Sequence, residues 1–141
     1  MANVNRHTFR FIESRLYEYP KMKQDIEDQR DSIIYARQQL ENGNRPPGCI
    51  SDTTGSKAIQ LISSPSLIFM ENFIWATELS LDLLGPQHRE LFRMKYILRF
   101  SSERVCMEMP CSDRSFYRHR REIVEMVSSK MGFCRHDVFY E

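Results

Sequence analysis

The chain of 141 residues is 41% hydrophobic and 28% charged, a composition that allows a packed core and excludes wholesale disorder. Its 20 Lys and Arg side chains against 19 Asp and Glu leave a net charge of +1, which excludes a protein that is polycationic throughout. The most apolar run, residues 61–84, is broken by Glu71, Glu78 and Asp82, and no basic segment followed by an apolar one opens the chain, so we expect no membrane span and a cytoplasmic location.

Apolar residues three and four positions apart recur along nearly the whole chain, which predicts an all-α fold. Pro20 interrupts the first apolar stripe and fits the first turn of a second helix. The first stripe consists of Phe9, Ile12, Leu16 and Tyr19. These helices begin an N-terminal segment of long, coiled-coil-like helices that we assign to residues 1–50.

The second helix carries a narrow apolar seam of the kind that pairs with another helix. Its residues are alternately four and three positions apart in the sequence. They are Met22, Ile26, Gln29, Ile33, Ala36 and Leu40. Pairing between chains, pairing within one chain and packing against the helix's own domain all fit this pattern. For pairing between chains, the candidate oligomerisation residues are Met22, Ile26, Ile33 and Leu40, and a homodimer is favoured.

Residues 42–55 are rich in Gly, Pro, Asn, Ser and Asp and form the clearest linker in the chain. They lead into a second domain, which we assign to residues 51–141, and a short helix is predicted over residues 57–62. Residues 66–84 then carry apolar side chains on two faces, which predicts the central core helix with Trp75 at its flank.

Gly85-Pro86 ends one helix and starts the next, because glycine favours the position after a helix and proline the first position inside one. We predict a helix over residues 86–99. Its inward side chains would be Leu91, Met94 and Leu98, and its outward ones Arg89, Arg93 and Arg99.

The next two helices have the spacing of a helix-turn-helix unit, with about seven residues, a turn of about four and a longer second helix. Ser101 and Ser112 are predicted N-caps, and Met109-Pro110 ends the first helix because a residue before proline avoids the helical region. Gly132 closes the second helix. The second helix, residues 112–131, is the one predicted to enter a DNA groove.

Positive charge is concentrated around this unit. Residues 86–135 hold 11 basic and 6 acidic side chains, whereas residues 1–85 hold 9 basic and 11 acidic, which indicates a polyanionic partner for the C-terminal part. With about 100° per helical residue, Arg114, Arg118 and Arg121 fall within about 60° of one another. The predicted buried stripe on the opposite side consists of Phe116, Ile123 and Val127.

Arginine is the side chain best suited to pair with guanine in a major groove, so we predict binding to double-stranded DNA. Arg104 and Arg120 are candidates for phosphate contacts that set register. Arg120 lies on the shoulder of the buried stripe and must extend along it to reach either a phosphate or an acidic neighbour. A solvated charged face is the alternative, but such faces usually mix both signs.

Residues 101–132, "SSERVCMEMPCSDRSFYRHRREIVEMVSSKMG", resemble the C-terminal helix-turn-helix of sigma-factor region 4, and "LDLLGPQHRELFRMKYI" (81–97) is similar to the helix before that unit. "IESRLYEYPKMKQDIEDQRDSI" (12–33) and "SDTTGSKAIQLI" (51–62) resemble the RinA/ArpU family of phage-encoded late-gene transcriptional activators. The turn departs from the sigma-type pattern, which has a glycine or small residue where this chain has Met109-Pro110-Cys111.

The resemblance implies a DNA-binding activator, located in the cytoplasm of a bacterial host, that recruits the host RNA polymerase to a phage or prophage promoter. It also implies which side chains contact DNA. Carried onto this chain, these are Ser112, Arg114, Ser115, Tyr117, Arg118 and Arg121. A small terminase-like DNA-packaging subunit, which also joins a helix-turn-helix to an oligomerising segment, is the main alternative. A helical adaptor that binds protein through the residue 22–40 seam is a third.

Catalytic and metal-binding patterns do not stand out. No phosphate-binding glycine loop, paired carboxylate site or nucleophile with a base is evident, so we do not expect an enzyme or a cofactor. The cysteines lack a C-x2-C type spacing and are expected to be reduced thiols rather than metal ligands. They are Cys49, Cys106, Cys111 and Cys134, and the scattered histidines are His7, His88, His119 and His136.

Overall fold

The computed structural model describes residues 4–41 and 64–133, and these residues form an all-α fold without a strand. No helix in these two ranges is both long and apolar enough to cross a membrane. The helices are α1 (Arg6–Tyr17), α2 (Tyr19–Glu41), α3 (Pro65–Leu84), α4 (Pro86–Phe92), α5 (Ser102–Glu108) and α6 (Asp113–Lys130), with a π-helical segment at Arg93–Ile97 between α4 and α5.

The chain divides into two compact units, but the boundary does not fall at residue 50. Among the described residues, one unit contains 4–20 and 73–133, and the other contains 21–41 and 64–72. Helix α1 therefore belongs with the C-terminal helices, because it packs on α6. The linker and the short helix predicted over residues 57–62 lie outside the described residues.

The start of the chain follows the predicted pattern. Asn5 caps α1 by accepting a hydrogen bond from the Thr8 backbone N–H at 2.9 Å. The apolar stripe is buried at Ile12, Leu16 and Tyr19, and Pro20 is the second residue of α2. A proline is tolerated there because the first turn of a helix has no partner for its backbone N–H groups.

Helix α3 buries residues of both predicted apolar faces, with Leu67 and Leu81 on one and Phe73 and Ala76 on the other. Phe73, Ala76 and Leu81 lie in the core, together with the hydroxyls of Thr77 and Ser80, which donate to carbonyls four residues earlier. Leu83, by contrast, is 59% exposed, and Trp75 is 57% exposed at the flank of the helix as predicted. The core side of α3 is therefore partly polar but satisfied within its own helix.

The helix predicted over residues 86–99 is shorter than expected. Gly85 has a φ of 114° and Pro86 begins α4 as predicted, but the chain changes to a π-helix at Arg93 and the Leu98 N–H donates to the Arg93 carbonyl at 2.9 Å. A π-turn takes up an additional residue and shifts the buried face. Tyr96 is consequently inside, and Leu98, predicted to be inward, is exposed.

The capping predictions for the last two helices are confirmed. Ser101 and Ser112 accept hydrogen bonds from backbone N–H groups three residues later, at 3.3 and 3.2 Å. At the other end of α6, Gly132 has a φ of 79°, and its N–H and that of Phe133 donate to the Ser129 and Ser128 carbonyls. This Schellman motif ends the helix where the sequence indicated.

Candidate nucleic-acid interface

Helix α6 has a buried face and a positively charged face. Phe116, Ile123 and Val127 are at most 1% exposed, as their spacing predicted. The guanidinium-bearing side chains of Arg114, Arg118 and Arg121 are exposed and, by their positions in the helix, project from the opposite side. We refer to these three arginines as the arginine ridge.

The ridge is held only by local ion pairs. Arg118 Nε lies 3.7 Å from Glu122 Oε1, and Arg121 Nε lies 2.9 Å from Glu125 Oε1, each four residues along the helix. The side chain of Arg114 makes no hydrogen bond or ion pair to any part of the chain that the structure describes. The Arg118 and Arg121 side chains remain 66% and 65% exposed. Pairs between residues four positions apart on a helix are worth a few tenths of a kcal/mol, so the exposed guanidinium groups can exchange partners.

Of the two partners expected for Arg120, a phosphate or an acidic neighbour, the structure shows the acidic one, which makes Arg120 the exception among the arginines of α6. Its Nε and Nη2 donate to the two carboxylate oxygens of Glu13 at 2.6 and 2.7 Å, and its guanidinium lies 5.0 Å from the Phe9 ring centroid. The side chain is only 26% exposed. Because the Nε–Nη2 edge of its guanidinium is taken up by a bidentate pair with Glu13, Arg120 joins α6 to α1.

Glu13 is the centre of a small network between α1, the π-helical segment and α6. Tyr96 donates its hydroxyl to Glu13 at 3.0 Å, and Lys95 is a further nearby positive charge. Burial alone would raise the pKa of Glu13. The hydrogen bonds and charge of Arg120, the charge of Lys95 and the hydrogen bond from Tyr96 together hold the pKa below its ordinary value. Burial, followed by the Glu13 charge, raises the pKa of the Tyr96 hydroxyl. The carboxylate of Glu13 is therefore ionised at neutral pH. Its ion pair with Arg120 joins α6 to α1.

The remaining predicted contacts are on α5 and in the first turns of α6. Tyr117 is 53% exposed, and Ser112 is exposed at the start of α6, where its hydroxyl bonds the half-buried Ser115 at 3.1 Å. Arg104 is exposed on α5, with its guanidinium 3.7 Å from the Phe100 ring centroid. The two serines act first as a helix cap, whereas Tyr117 and Arg104 present their functional groups to solvent.

The first half of the α2 seam is not available for pairing between chains. Met22 and Ile26 are 4% and 5% exposed within a single chain, so their assignment as oligomerisation residues is corrected. Ile33 is half-buried, and the Leu40 side chain lies outside the described residues. The exposed apolar side chains of this helix are Ile34 and Tyr35, at 52% and 63%, one residue away from the predicted seam.

A cluster of two imidazoles and a carboxylate was missed by the sequence analysis. His88 on α4 places its Nε2 2.8 Å from Glu122 Oε2 on α6, and the His88 and His119 ring centroids are 4.5 Å apart. Burial, followed by the charges of His88 and Arg118, lowers the pKa of His119, against the opposing effect of Glu122. The available signal was the His-x-x-Glu spacing at 119–122, which puts both side chains on one helix face.

Comparison with known proteins identifies no relative of this chain. No family model matches the chain, and no curated protein or solved structure matches it either.

Proposed function

We propose that this protein binds double-stranded DNA in a sequence-specific manner, with α5 and α6 acting as a helix-turn-helix and α6 lying in the major groove. The observation that carries the proposal is the arginine ridge, three exposed guanidinium groups on one side of an 18-residue helix whose other side is buried. An α-helix fits a major groove, and arginine pairs with the O6 and N7 atoms of guanine there.

Two structural features support this use of α6. The helix is anchored on its inner side by the Arg120–Glu13 ion pair, so the ridge is presented by a rigid support, which a specific contact requires. The ridge carboxylates, Glu122 and Glu125, lie toward the C-terminal half and are only 25% and 13% exposed. The negative charge next to the ridge is therefore largely covered, and a phosphate or base that binds Arg118 and Arg121 does not approach two exposed carboxylates.

The more specific role is that of a phage or prophage late-gene activator that recruits host RNA polymerase from the bacterial cytoplasm. This part rests on the resemblance of residues 12–33, 51–62 and 101–132 to the RinA/ArpU family and to sigma region 4. A single recognition helix reads a short site, so a homodimer with two half-sites gives the discrimination that a promoter requires. Ile34 and Tyr35, exposed on α2, are the apolar side chains that we propose for this contact.

Selection from random DNA duplexes followed by mobility-shift titration tests the proposal. We expect an enriched motif and binding that weakens as salt rises. The variant Arg114→Ala/Arg118→Ala/Arg121→Ala should lose most of the affinity and the preference for the motif. A fall in the slope of log K against log salt would instead count the arginines that contact phosphates, at about 0.9 for each. If no motif is enriched at moderate salt, the proposal of sequence-specific binding is wrong.

A matched variant controls for net charge. Arg6→Ala/Arg10→Ala/Arg37→Ala removes three positive charges from exposed positions on α1 and α2. We expect it to retain the affinity and the motif of the wild type. Equal losses in the two triple variants would mean that the protein binds DNA only through its overall charge.

Solution mass separates the regulator from the packaging alternative. We expect a dimer by light scattering, and Ile34→Glu/Tyr35→Glu should shift the population toward monomer. A large ring of subunits would instead favour a small terminase-like packaging protein.

A further inference from the structure

Three side chains of metal-ligating type converge at the contact between α4 and α6. His88, His119 and Glu122 each offer one nitrogen or oxygen atom, and these three atoms all lie within 4.8 Å of one another. Within the described ranges this is the one group of three or more His, Cys, Asp and Glu side chains with such convergence. The cluster lies inside one compact unit, and its members come from two helices.

A second observation distinguishes the cluster from an ordinary hydrogen-bonded core. His119 is 9% exposed, and its Nδ1 is buried with no hydrogen-bond partner among the described residues. Leaving a buried imidazole nitrogen without a partner costs about 1–3 kcal/mol. A ligand that accepts the lone pair of this nitrogen would remove that cost, whereas His88 and Glu122 are bonded to each other.

We propose that His88, His119 and Glu122 form a binding site for a divalent transition-metal ion, with Zn²⁺ the best match. Two imidazoles and one carboxylate with a water molecule are an ordinary four-coordinate zinc set. Magnesium and calcium are disfavoured because they prefer oxygen ligands. Ligand atoms about 2.0–2.2 Å from the ion lie roughly 3.3 Å apart in a tetrahedron, so the widest separation in the cluster must contract by about 1.5 Å through side-chain rotation.

The ion would join α4 to α6 and hold the helix that carries the arginine ridge. One positive charge opposes it, since Arg118 Nε lies 3.7 Å from Glu122 Oε1. The oxygen that faces His88 is the other one, Oε2. Arg118 is also largely exposed and can turn toward solvent, so Glu122 can bind the ion through Oε2.

Calorimetric titration of the chelator-treated full-length protein with zinc sulfate at neutral pH tests the site. We expect one ion per chain with micromolar or tighter affinity, and a melting temperature that rises by several degrees with excess zinc. Glu122→Gln keeps the size of the side chain and an oxygen that can accept from His88, and it should weaken zinc binding at least tenfold. His119→Gln should do the same, and circular dichroism of both variants establishes that they fold.

Other ligands in the chain require matched controls. Cys106→Ser/Cys111→Ser and Cys134→Ser/His136→Gln should bind zinc as tightly as the wild type. Cobalt substitution should give visible bands of a tetrahedral nitrogen and oxygen site, without the near-ultraviolet bands of a thiolate. Absence of binding to the wild type, or unchanged binding in folded Glu122→Gln, would overturn the proposal and leave the cluster as a hydrogen-bonded part of the core.

Discussion

Two sides of α6 use the same residue type for different purposes. Arg120 and Arg121 are adjacent in the chain, yet Arg120 is 26% exposed and fixed by Glu13, 107 residues away, whereas Arg121 is 65% exposed and paired with Glu125, four residues away. The inner arginine joins two helices and the outer one is free to change partner. A basic tract is therefore not a binding site as a whole, and the position of each arginine around the helix decides its role.

The largest effect on stability is expected for a substitution on the buried side of α6, at Arg120. Arg120→Met removes the main partner of a half-buried carboxylate, which costs about 2–4 kcal/mol of unfolding free energy because Glu13 then keeps only the Tyr96 hydroxyl and the charge of Lys95. Urea denaturation monitored by circular dichroism measures the change. Arg114→Met, the control on the arginine ridge, should cost less than about 0.5 kcal/mol.

A double-mutant cycle sharpens this result. Glu13→Gln/Arg120→Met should be less destabilised than the sum of the two single variants, since the second substitution removes a group already left unpaired. If Arg120→Met were no more destabilising than Arg114→Met, the contrast between the two sides of α6 would be wrong.

On the outer side the effect should appear in binding and not in folding. Arg114→Ala is expected to weaken binding to the selected DNA motif by about 1–3 kcal/mol if the side chain contacts a base edge, with relaxed preference at one position. Its unfolding free energy should stay within about 0.5 kcal/mol of the wild type. Mobility-shift titrations on matched and mismatched duplexes measure the difference, and equal losses on both duplexes would assign Arg114 to the phosphate backbone.

The same contrast explains which features the sequence could predict. The caps at Ser101 and Ser112 act over three residues, and the buried stripe of Phe116 follows the helix period, so both can be derived from local sequence. The choice of Glu13 as partner of Arg120 depends on how α1 packs, which no local pattern specifies.

The π-helical segment and the histidine cluster were missed for the same reason. Burial of Tyr96 in place of Leu98 depends on the packing of Tyr96 against Phe92 and Tyr17, whose ring centroids lie 5.5 and 4.9 Å away. His88 reaches Glu122 across 34 positions of sequence. Only the spacing between His119 and Glu122 was visible in the sequence, and one such pair is too common to indicate a site.

Lowering the pH should reduce the stability that the Glu13–Arg120 pair contributes on the buried side of α6. The pKa of Glu13 is lower in the folded protein than its ordinary value of 4.5, so the unfolded chain takes up the proton first as pH falls. The contribution of this carboxylate to stability is therefore complete above about pH 4.5 and is lost as the pH falls through the lower, folded-state pKa. The stability difference between the wild type and Glu13→Gln should narrow over that window.

Urea denaturation over a series of acidic pH values measures this narrowing, and Glu103→Gln on the exposed side of α5 is the control. A difference that stayed constant over the whole series would show that Glu13 stabilises α1 and α6 without its charge.

The smallest change in stability is expected for Glu125→Gln, which removes the local partner of Arg121. An ion pair between residues four positions apart on a helix contributes about 0.3–0.5 kcal/mol, so folding should be nearly unchanged. Binding to DNA should tighten by up to about fivefold, because removing a negative charge a few ångströms from a phosphate is worth about 1 kcal/mol in water. Asp82→Asn is the matched control, since it removes one negative charge and an exposed ion pair with Arg89 at 3.5 Å. Tighter binding in Glu125→Gln alone would place the DNA on the ridge, equal tightening in both would reflect net charge, and weaker binding would mean that Glu125 holds Arg121 in its binding position.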